Sequence, residues 1–337
     1  MNKKHSKRHL AVIGILAASA IALSACSGTA KPGASDDAGL RVAILTSGAV
    51  SDNGYNADAK RAADLIESKF GGKVALSESV PVPSQSDVYR QFAAKGYDLV
   101  IGWGGQFTDG AVEISADFPK VKFLVVNSNA SNGTNLASFD QAVEQWSFMA
   151  GWLQAKLTTS GTIGWVGAQC FPATAAGLHG TEQGARFVNP SIDIKSTFTG
   201  DFEDPTKANQ AAKAMIETGV DVLSGNLNNA WPGMHEAATA AGGVQSITEW
   251  IDNSSLAPDI IVSSILKSLV PFVEKAVQSV VDDNFKGEFT MYPVPKDWGP
   301  ILTETKLFDA ALYQEALEVQ KKIVDGEITV KRDETCS

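Results

Sequence analysis

Short apolar segments rich in β-branched residues alternate with segments of helical period along most of the chain. The strand candidates begin at Arg41, Asp98 and Lys122 in the first half and at Thr162, Asp221 and Val244 in the second. Such alternation is typical of α/β folds with parallel sheets. Because the second and third candidates follow the first at nearly the same distances in both halves, the pattern predicts two lobes built on one plan.

Amphipathic segments between these strand candidates predict the helices. We expect helices over residues 57–70, 86–94, 111–117, 176–187, 205–218 and 234–241. The fifth has clear start and stop signals, with Asp204 as the N-cap, Pro205 at the first helical position and Gly219 at the end. Residues 135–157 have the apolar spacing of a largely buried helix, so their aromatic side chains are assigned to the core.

The N-terminus has the pattern of an export signal. A basic segment precedes a short apolar run, which ends at Leu23-Ser24-Ala25-Cys26 and is too short for a comfortable membrane span. These four residues resemble the lipobox of bacterial lipoproteins, which implies that Cys26 carries the lipid. The alternative is an ordinary cleaved signal. We therefore expect a signal peptide over 1–25 and a flexible tether over 26–39, where Gly, Ser, Ala and Asp predominate.

Composition limits the partners of the chain. The formal net charge is −10, and loss of the signal would remove four basic residues and make it more negative. Such a surface is repelled by nucleic acid phosphates, so no nucleic acid partner is expected. The part after the tether, about 300 residues, exceeds what one hydrophobic core usually organises, which also favours two lobes.

Two cysteines remain after the signal. In an exported protein an even number favours a disulfide, here between Cys170 and Cys336. It would fasten the end of the chain to the second half. Two unpaired thiols are the alternative.

Polar and aromatic side chains follow the strand candidates. In open α/β sheets ligands bind beyond the carboxyl ends of the strands. The segments at those ends are 51–56, 103–107, 127–129, 168–171, 226–231 and 250–253. They are rich in Asn, Gln, Asp and aromatic residues, and a cleft between two lobes would be lined by stacking surfaces and hydrogen-bonding groups.

Catalytic motifs are absent from the sequence. The two histidines after the signal, His179 and His235, are not in a metal-ligand spacing, and there is no phosphate-binding loop or nucleophile elbow. A carboxylate pair could act as in glycosidases, but spacing selects none. A binding protein without cofactor, metal or catalytic residue is therefore favoured over an enzyme. A sensor that partners a membrane signalling protein stays open.

Four segments, together with the apolar segment 148–157, resemble the basic membrane protein family of ABC-transporter substrate-binding lipoproteins, which includes purine nucleoside receptors. They are "SDNGYNADAKRAAD" at 51–64 and the stretches 98–127, 187–223 and 256–277. The resemblance implies a type I periplasmic-binding-protein architecture, in which three crossovers join two Rossmann-like lobes. It also implies a division into 40–157 plus 259–288 and 158–258 plus 289–337.

The resemblance also implies ligand-binding residues. Tyr55 stands where the family commonly has a base-stacking Phe, and Asp52, Asn53 and Asn56 belong to the same motif. Further candidates are Phe202, as a second stacking ring, and Lys267, near the sugar. The structural alternatives are that Asp52 and Asn53 form a turn, that Tyr55 is a half-buried core residue and that Phe202 packs against a helix.

Two positions depart from the family pattern. Asn127 stands where the family usually has an Asp that reads the purine edge, and an amide can donate as well as accept. Asp252 is the nearby candidate for binding the ribose, but an ungapped alignment puts Trp250 at the first family Asp. A helix N-cap is the alternative role of Asp252.

These observations predict a monomeric, lipid-anchored extracytoplasmic receptor that delivers a purine nucleoside to an ABC permease and its ATPase. Alternatives are a receptor for a free nucleobase or another small polar heterocycle, and a secreted enzyme that hydrolyses nucleosides or glycosides.

Overall fold

Two parallel sheets organise the chain in the computed structural model, which describes residues 39–52 and 54–336. The predicted signal peptide, Cys26, the tether up to residue 38 and Asn53 lie outside these residues. Among the described residues, no helix combines the length and the apolar character needed to cross a membrane.

The first sheet has six strands among the described residues. In spatial order they are β11 (Phe289–Tyr292), β5 (Leu136–Gln141), β4 (Lys122–Val126), β3 (Leu99–Trp103), β1 (Arg41–Thr46) and β2 (Lys73–Ser77). Neighbouring strands pair in parallel. Alternate residues of β1 enter opposite cores, with Val42 and Ile44 on one face and Ala43 and Leu45 on the other. The central strands are therefore continuously apolar.

Helices cover both faces of this sheet. α1 (Tyr55–Phe70) and α8 (Val270–Val281) pack on one face, and α2 (Gln85–Ala94) and α3 (Thr108–Ser115) pack on the other. The buried Asp58 of α1 accepts hydrogen bonds from Leu269 N at 2.6 Å and from Ser268 Oγ at 2.8 Å. This carboxylate joins α1 to the start of α8.

The second sheet has five parallel strands among the described residues. In spatial order they are β10 (Ile261–Leu266), β9 (Gln245–Trp250), β8 (Val222–Asn226), β6 (Thr162–Gly167) and β7 (Asp193–Phe198). The helices are α4 (Val143–Leu157), α5 (Pro172–Val188), α6 (Pro205–Glu217), α7 (Trp231–Ala241) and α9 (Ala310–Val324). α6 and α7 share one core, and α4 and α9 share another. The prediction of two parallel-sheet α/β lobes is confirmed.

The chain passes between the two sheets three times within the described residues: after β5, after β10 and after β11. This placement corrects the predicted lobe boundaries. β10 pairs with β9 in the second sheet, because Val262 and Ile265 are buried in the core of that lobe. β11 pairs with β5 in the first sheet, although the predicted boundary at 289 assigned it to the second lobe.

The predicted buried helix over 135–157 is in fact a strand followed by a helix. β5 ends at Gln141 and α4 begins at Val143, so α4 belongs to the second lobe. Every residue of β5 is buried, and most of α4 is buried too. A fully buried strand that runs directly into a buried helix offers no change in periodicity that would separate them.

Candidate functional site

A cavity of about 350 Å³ opens at the carboxyl ends of strands from both sheets. Its lining includes Ser47 and Tyr55 after β1, Gly105, Gln106 and Thr108 after β3, 127–129 after β4, Phe171 after β6, Phe202 after β7, Asn226 and Asn228 at the end of β8, and Trp250 at the end of β9. The volume falls in the range of small-molecule sites, about 300–1,000 Å³. The position is the one expected for ligands of open α/β sheets.

Tyr55 opens α1 at the edge of this cavity. Its backbone oxygen accepts a hydrogen bond from Trp103 Nε1 at 2.9 Å, and its ring meets the Trp250 ring edge-on at 5.1 Å between centroids. Its hydroxyl donates to Asn127 Oδ1 at 2.8 Å. Burial, reinforced by the nearby charge of Asp140, raises the pKa of Tyr55 well above its ordinary value, so the hydroxyl stays protonated.

Asn127 directly follows β4 and has a left-handed backbone, φ 54°. Besides accepting from Tyr55, its amide donates from Nδ2 to Asp140 Oδ1 at 2.8 Å. A Cβ atom on Gly105 would lie 2.6 Å from the Asn127 carbonyl oxygen, so only glycine allows this close approach. The two side-chain hydrogen bonds hold the amide with its nitrogen toward Asp140 and its oxygen toward Tyr55.

Arg332, from the last residues of the chain, also lines the cavity. Its guanidinium pairs with Asp140, with Glu144 at 3.0 Å and with Glu334 at 2.7 Å. Burial raises the pKa of Asp140, while the positive charge of Arg332 opposes that rise. The sequence reasoning missed Arg332 and Asp140. The cysteine pair was the available signal, because it brings the C-terminus to the end of β6.

Lys267 also lines the cavity, lies just past β10 and is buried. It forms an ion pair with the buried Glu249, and its Nζ lies 4.6 Å from the Trp250 ring centroid. Glu249 Oε1 also accepts from Asn226 Nδ2 at 2.6 Å. The sequence reasoning did not identify Glu249 or Asn226 individually, although Asn226 lies in a predicted strand-end segment.

Trp250 has an unusual backbone conformation, with φ 83°. Positive φ is a genuine outlier for a bulky side chain and persists where the surrounding structure requires it. The indole contacts Tyr55 and Lys267 and lines the cavity. The strained residue therefore lies where a ligand would touch the protein.

Two rings of the second lobe form a further wall. Phe171 and Phe202 lie nearly parallel, 7° apart, with centroids 6.4 Å from each other. Phe202 also packs against the core shared by α6 and α7, so it has both the packing role and a place in the cavity lining.

Asp52 and Asn56, both predicted ligand contacts, have structural positions. The Asp52 carboxylate accepts from Gly54 N at 2.9 Å, Asn56 N at 2.8 Å and Ala57 N at 2.8 Å, and Asn56 Nδ2 also donates to it at 2.8 Å. Neither residue is in the cavity lining. They organise the start of α1 and so position Tyr55, which corrects the prediction that they face the ligand.

Asp252 also differs from its predicted place near the ligand. It is exposed, lies outside the cavity lining and accepts a hydrogen bond from Ser254 N at 3.0 Å in a local turn. The chain turns away after the left-handed Trp250, which moves Asp252 out of the site. The carboxylate beside Lys267 is Glu249, three positions earlier.

The remaining predicted pair is joined in the structure. Cys170 and Cys336 form a disulfide with their Cα atoms 6.0 Å apart. Among the described residues, no group of three or more His, Cys, Asp or Glu side chains could hold a metal ion. The cavity offers aromatic faces, amides and paired charges.

Comparisons with known proteins identify relatives that match most of the chain. The chain is 27% identical to basic membrane protein B of Borrelia garinii subsp. bavariensis over 309 residues, covering 86% of this chain and 87% of the relative. It is 24% identical to a purine-binding protein of Brucella abortus over 258 residues, covering 74% and 71%. A solute-binding protein of an ABC transporter system from Aeropyrum pernix K1 has the same fold, with a TM-score of 0.76 at 21% identity over 87% of this chain and 94% of that one.

The sequence profile described as "ABC transporter substrate-binding protein PnrA-like" matches residues 40–334. The match covers nearly all of the described residues and both lobes. The chain therefore belongs to the family of basic membrane proteins, the PnrA-like substrate-binding proteins of ABC transporters.

Proposed function

We propose that this substrate-binding protein captures a purine nucleoside between its lobes and delivers it to an ABC permease and its ATPase. One observation carries the proposal: aromatic rings from both lobes line a single cavity that also presents side-chain amides. Tyr55 comes from the first lobe, and Phe171, Phe202 and Trp250 come from the second. Flat rings stack on aromatic faces, while amides provide the hydrogen bonds that fix orientation.

The charges of the cavity favour an uncharged ligand. The two cations in its described lining, Lys267 and Arg332, are both paired with carboxylates. A phosphate group would have to compete with these carboxylates for its cations. We therefore expect a nucleoside to bind more tightly than its 5′-monophosphate.

Asn127 is the group that we expect to read the edge of the base. Its Oδ1 and Nδ2 already have partners in Tyr55 and Asp140, yet an amide oxygen accepts twice and an amide nitrogen donates twice. The second acceptor site and the second N–H are the groups available to a ligand. They can pair with a purine edge that offers one donor beside one acceptor.

The sugar would be bound by the polar groups near β8 and β10. Lys267, Asn226 and Asn228 line this part of the cavity. The exposed position of Asp252 removes the carboxylate that was expected to accept from the ribose hydroxyls. That observation favours a second candidate, a receptor for the free nucleobase or another small polar heterocycle, in which aromatic stacking dominates.

We further propose that the protein acts outside the cytoplasm and is anchored through a lipid on Cys26. The support is the basic and apolar N-terminal pattern that ends at Leu23-Ser24-Ala25-Cys26. Metabolic labelling with an alkyne-bearing fatty acid tests the anchor. Label should appear on the wild type and be lost in Cys26→Ser.

Calorimetric titration of the chain from Ser27 onward tests the ligand. Adenosine, guanosine and inosine are compared with their free bases, with ribose and with the 5′-monophosphates, and the samples are checked for released base. Tight binding of a nucleoside, and weaker binding of its monophosphate, is the expected result. Binding of bases alone would support the second candidate, and no response to either class would refute both. Release of free base would show that the protein is a hydrolase.

A further inference from the structure

We propose that residues 331–336, called here the C-terminal strap, complete the ligand site and that Arg332 within the strap is a positioning residue that orients Asn127 toward the ligand. The identity of that ligand rests on the function proposed above. The strap, its anchorage and its contact with Asn127 through Asp140 are structural observations and do not depend on that identity.

The strap is fastened to the second lobe at both ends. Cys336 is bonded to Cys170, just past β6, and the Thr335 carbonyl oxygen lies 2.9 Å from His179 Nε2. At the other end, Gln183 of α5 bonds Lys331 twice, at 2.7 Å to its carbonyl oxygen and at 2.9 Å from its N–H. The strap contains no helix or strand, so these contacts determine where it lies.

From this anchorage Arg332 reaches across to the first lobe. It pairs with Asp140 at the end of β5 and donates to the Gln141 carbonyl oxygen at 3.3 Å, while it pairs with Glu144 of α4 at 3.0 Å. These three residues surround the point where the chain first passes between the lobes. The Arg332 side chain is only 18% exposed, so the pairing takes place largely out of water.

The positive charge of Arg332 affects the orientation of the Asn127 amide through Asp140, which contacts both residues. Burial raises the pKa of Asp140, and the guanidinium opposes that rise by stabilising the ionised form. An ionised carboxylate can only accept, so it holds the nitrogen of Asn127 toward itself and leaves the oxygen facing Tyr55. Without the guanidinium, a protonated Asp140 could donate instead, and the amide would no longer have one preferred orientation.

Substitution of Arg332 tests the positioning role. Guanosine affinity is measured by calorimetry for Arg332→Gln, Arg332→Lys and the matched control Arg90→Gln, which removes an exposed ion pair with Asp117. We expect Arg332→Gln to weaken binding roughly tenfold to a hundredfold, because a charge-assisted buried hydrogen bond is lost. Lysine should restore part of the affinity, and the control should bind like the wild type.

A measurement without ligand separates this proposal from the proposed function. The side-chain amide resonances of Asn127, assigned by their loss in Asn127→Asp, are compared between unliganded wild type and Arg332→Gln. A shift or broadening of these signals is expected even if guanosine proves not to be the ligand. Unchanged Asn127 signals would overturn the positioning role. Unchanged guanosine affinity, where the wild type binds guanosine, would also overturn it.

Removal of the disulfide tests the anchorage. In the double variant Cys170→Ser with Cys336→Ser, the Asn127 signals should broaden and guanosine binding should weaken less than in Arg332→Gln, because His179 and Gln183 still hold the strap. Circular dichroism confirms that the lobes remain folded at the temperature used. Wild-type signals and wild-type affinity in this folded variant would refute the role of the disulfide.

Discussion

At the residue scale, Tyr55 illustrates what sequence can and cannot reveal. Its place just past the first strand and its aromatic character predict a cavity-facing ring. The contact of its hydroxyl with Asn127, at 2.8 Å, joins residues far apart in the chain and depends on how β1 and β4 are arranged in the sheet. The tyrosine hydroxyl, which a phenylalanine would lack, thus holds the amide that we expect to read the ligand.

Two variants at Tyr55 separate stacking from hydrogen bonding. Tyr55→Ala should weaken guanosine and guanine alike by about 1–3 kcal/mol, because base–aromatic stacking is lost. Tyr55→Phe keeps the ring and serves as the matched control. This variant should lose less affinity than Tyr55→Ala. Its affinity for adenine relative to guanine should differ from that of the wild type. Calorimetric titration measures both effects. Wild-type affinity in Tyr55→Ala would show that the ring does not contact the ligand.

Other site residues were not identified from the sequence. Asp252 and Glu249 differ by only three positions, and the left-handed turn at Trp250 decides which of them faces Lys267. Arg332 is distant in sequence from Asp140, and only the folded strap brings the two together. The sequence could indicate strand ends as the site, but not which carboxylates the tertiary structure would bring there.

At the scale of elements, the contact between α4 and α5 depends on small residues. A Cβ atom on Gly184 of α5 would lie 1.9 Å from the Phe148 carbonyl oxygen of α4, and one on Gly151 would lie 1.8 Å from the Thr181 carbonyl oxygen. The two backbones therefore approach more closely than any larger residue would allow. The helical periodicity predicted most of α5, but it could not reveal this close packing.

A pair of glycine substitutions tests that packing. Gly184→Ala should destabilise the protein by about 1–3 kcal/mol, because the methyl group would overlap the α4 backbone. Gly177→Ala on the same helix is the control, since its Cβ would meet Ser147 Oγ at an ordinary 3.4 Å. Alanine is the better helix former, so the control should be neutral or slightly stabilising. Urea unfolding curves measure the difference, and equal stability of the two variants would contradict the packing argument.

Some of the strands that the sequence missed are exposed. Every residue of β2 and of β11 lies at least partly exposed at its edge of the first sheet, so neither has a strong apolar signal. The central strands β1, β3 and β4 were predicted because they are covered on both faces and hence continuously apolar.

At the scale of the whole molecule, a buried histidine makes stability depend on pH. His235 of α7 packs against Trp231 with ring centroids 5.6 Å apart, and within the described residues its Nε2 has no hydrogen-bond partner. Burial lowers the pKa of His235 from 6.5 to about 4. The unfolded chain therefore binds a proton more readily, and stability is lost as pH falls from about 6.5 toward about 4.

As pH falls from 7 to 5, protonation linked to His235 should lower the free energy of unfolding by about 2 kcal/mol. Urea unfolding of the wild type is compared with His235→Gln, in which that part of the pH dependence should vanish. His179→Gln is the control, because the pKa of His179 is raised and its contribution has the opposite sign. An identical pH dependence in the wild type and His235→Gln would refute the assignment.

The two-lobe plan was predictable from the whole chain because the strand spacing repeats. The lobe boundaries were not, since they depend on which sheet receives β10 and β11. Pairing within a sheet is decided by the side chains that each strand buries, as Val262 and Ile265 show for β10.

The position of the strap at the end of the chain has a consequence for the order in which the molecule is completed. Arg332 leaves the ribosome after both sheets and all the described helices have been synthesised. The covalent bond between the strap and the second lobe forms only when Cys336 is oxidised with Cys170. The Arg332 part of the cavity lining is thus made after the strands and helices of both lobes. A chain that stops a few residues early would keep both sheets yet lack that part of the lining.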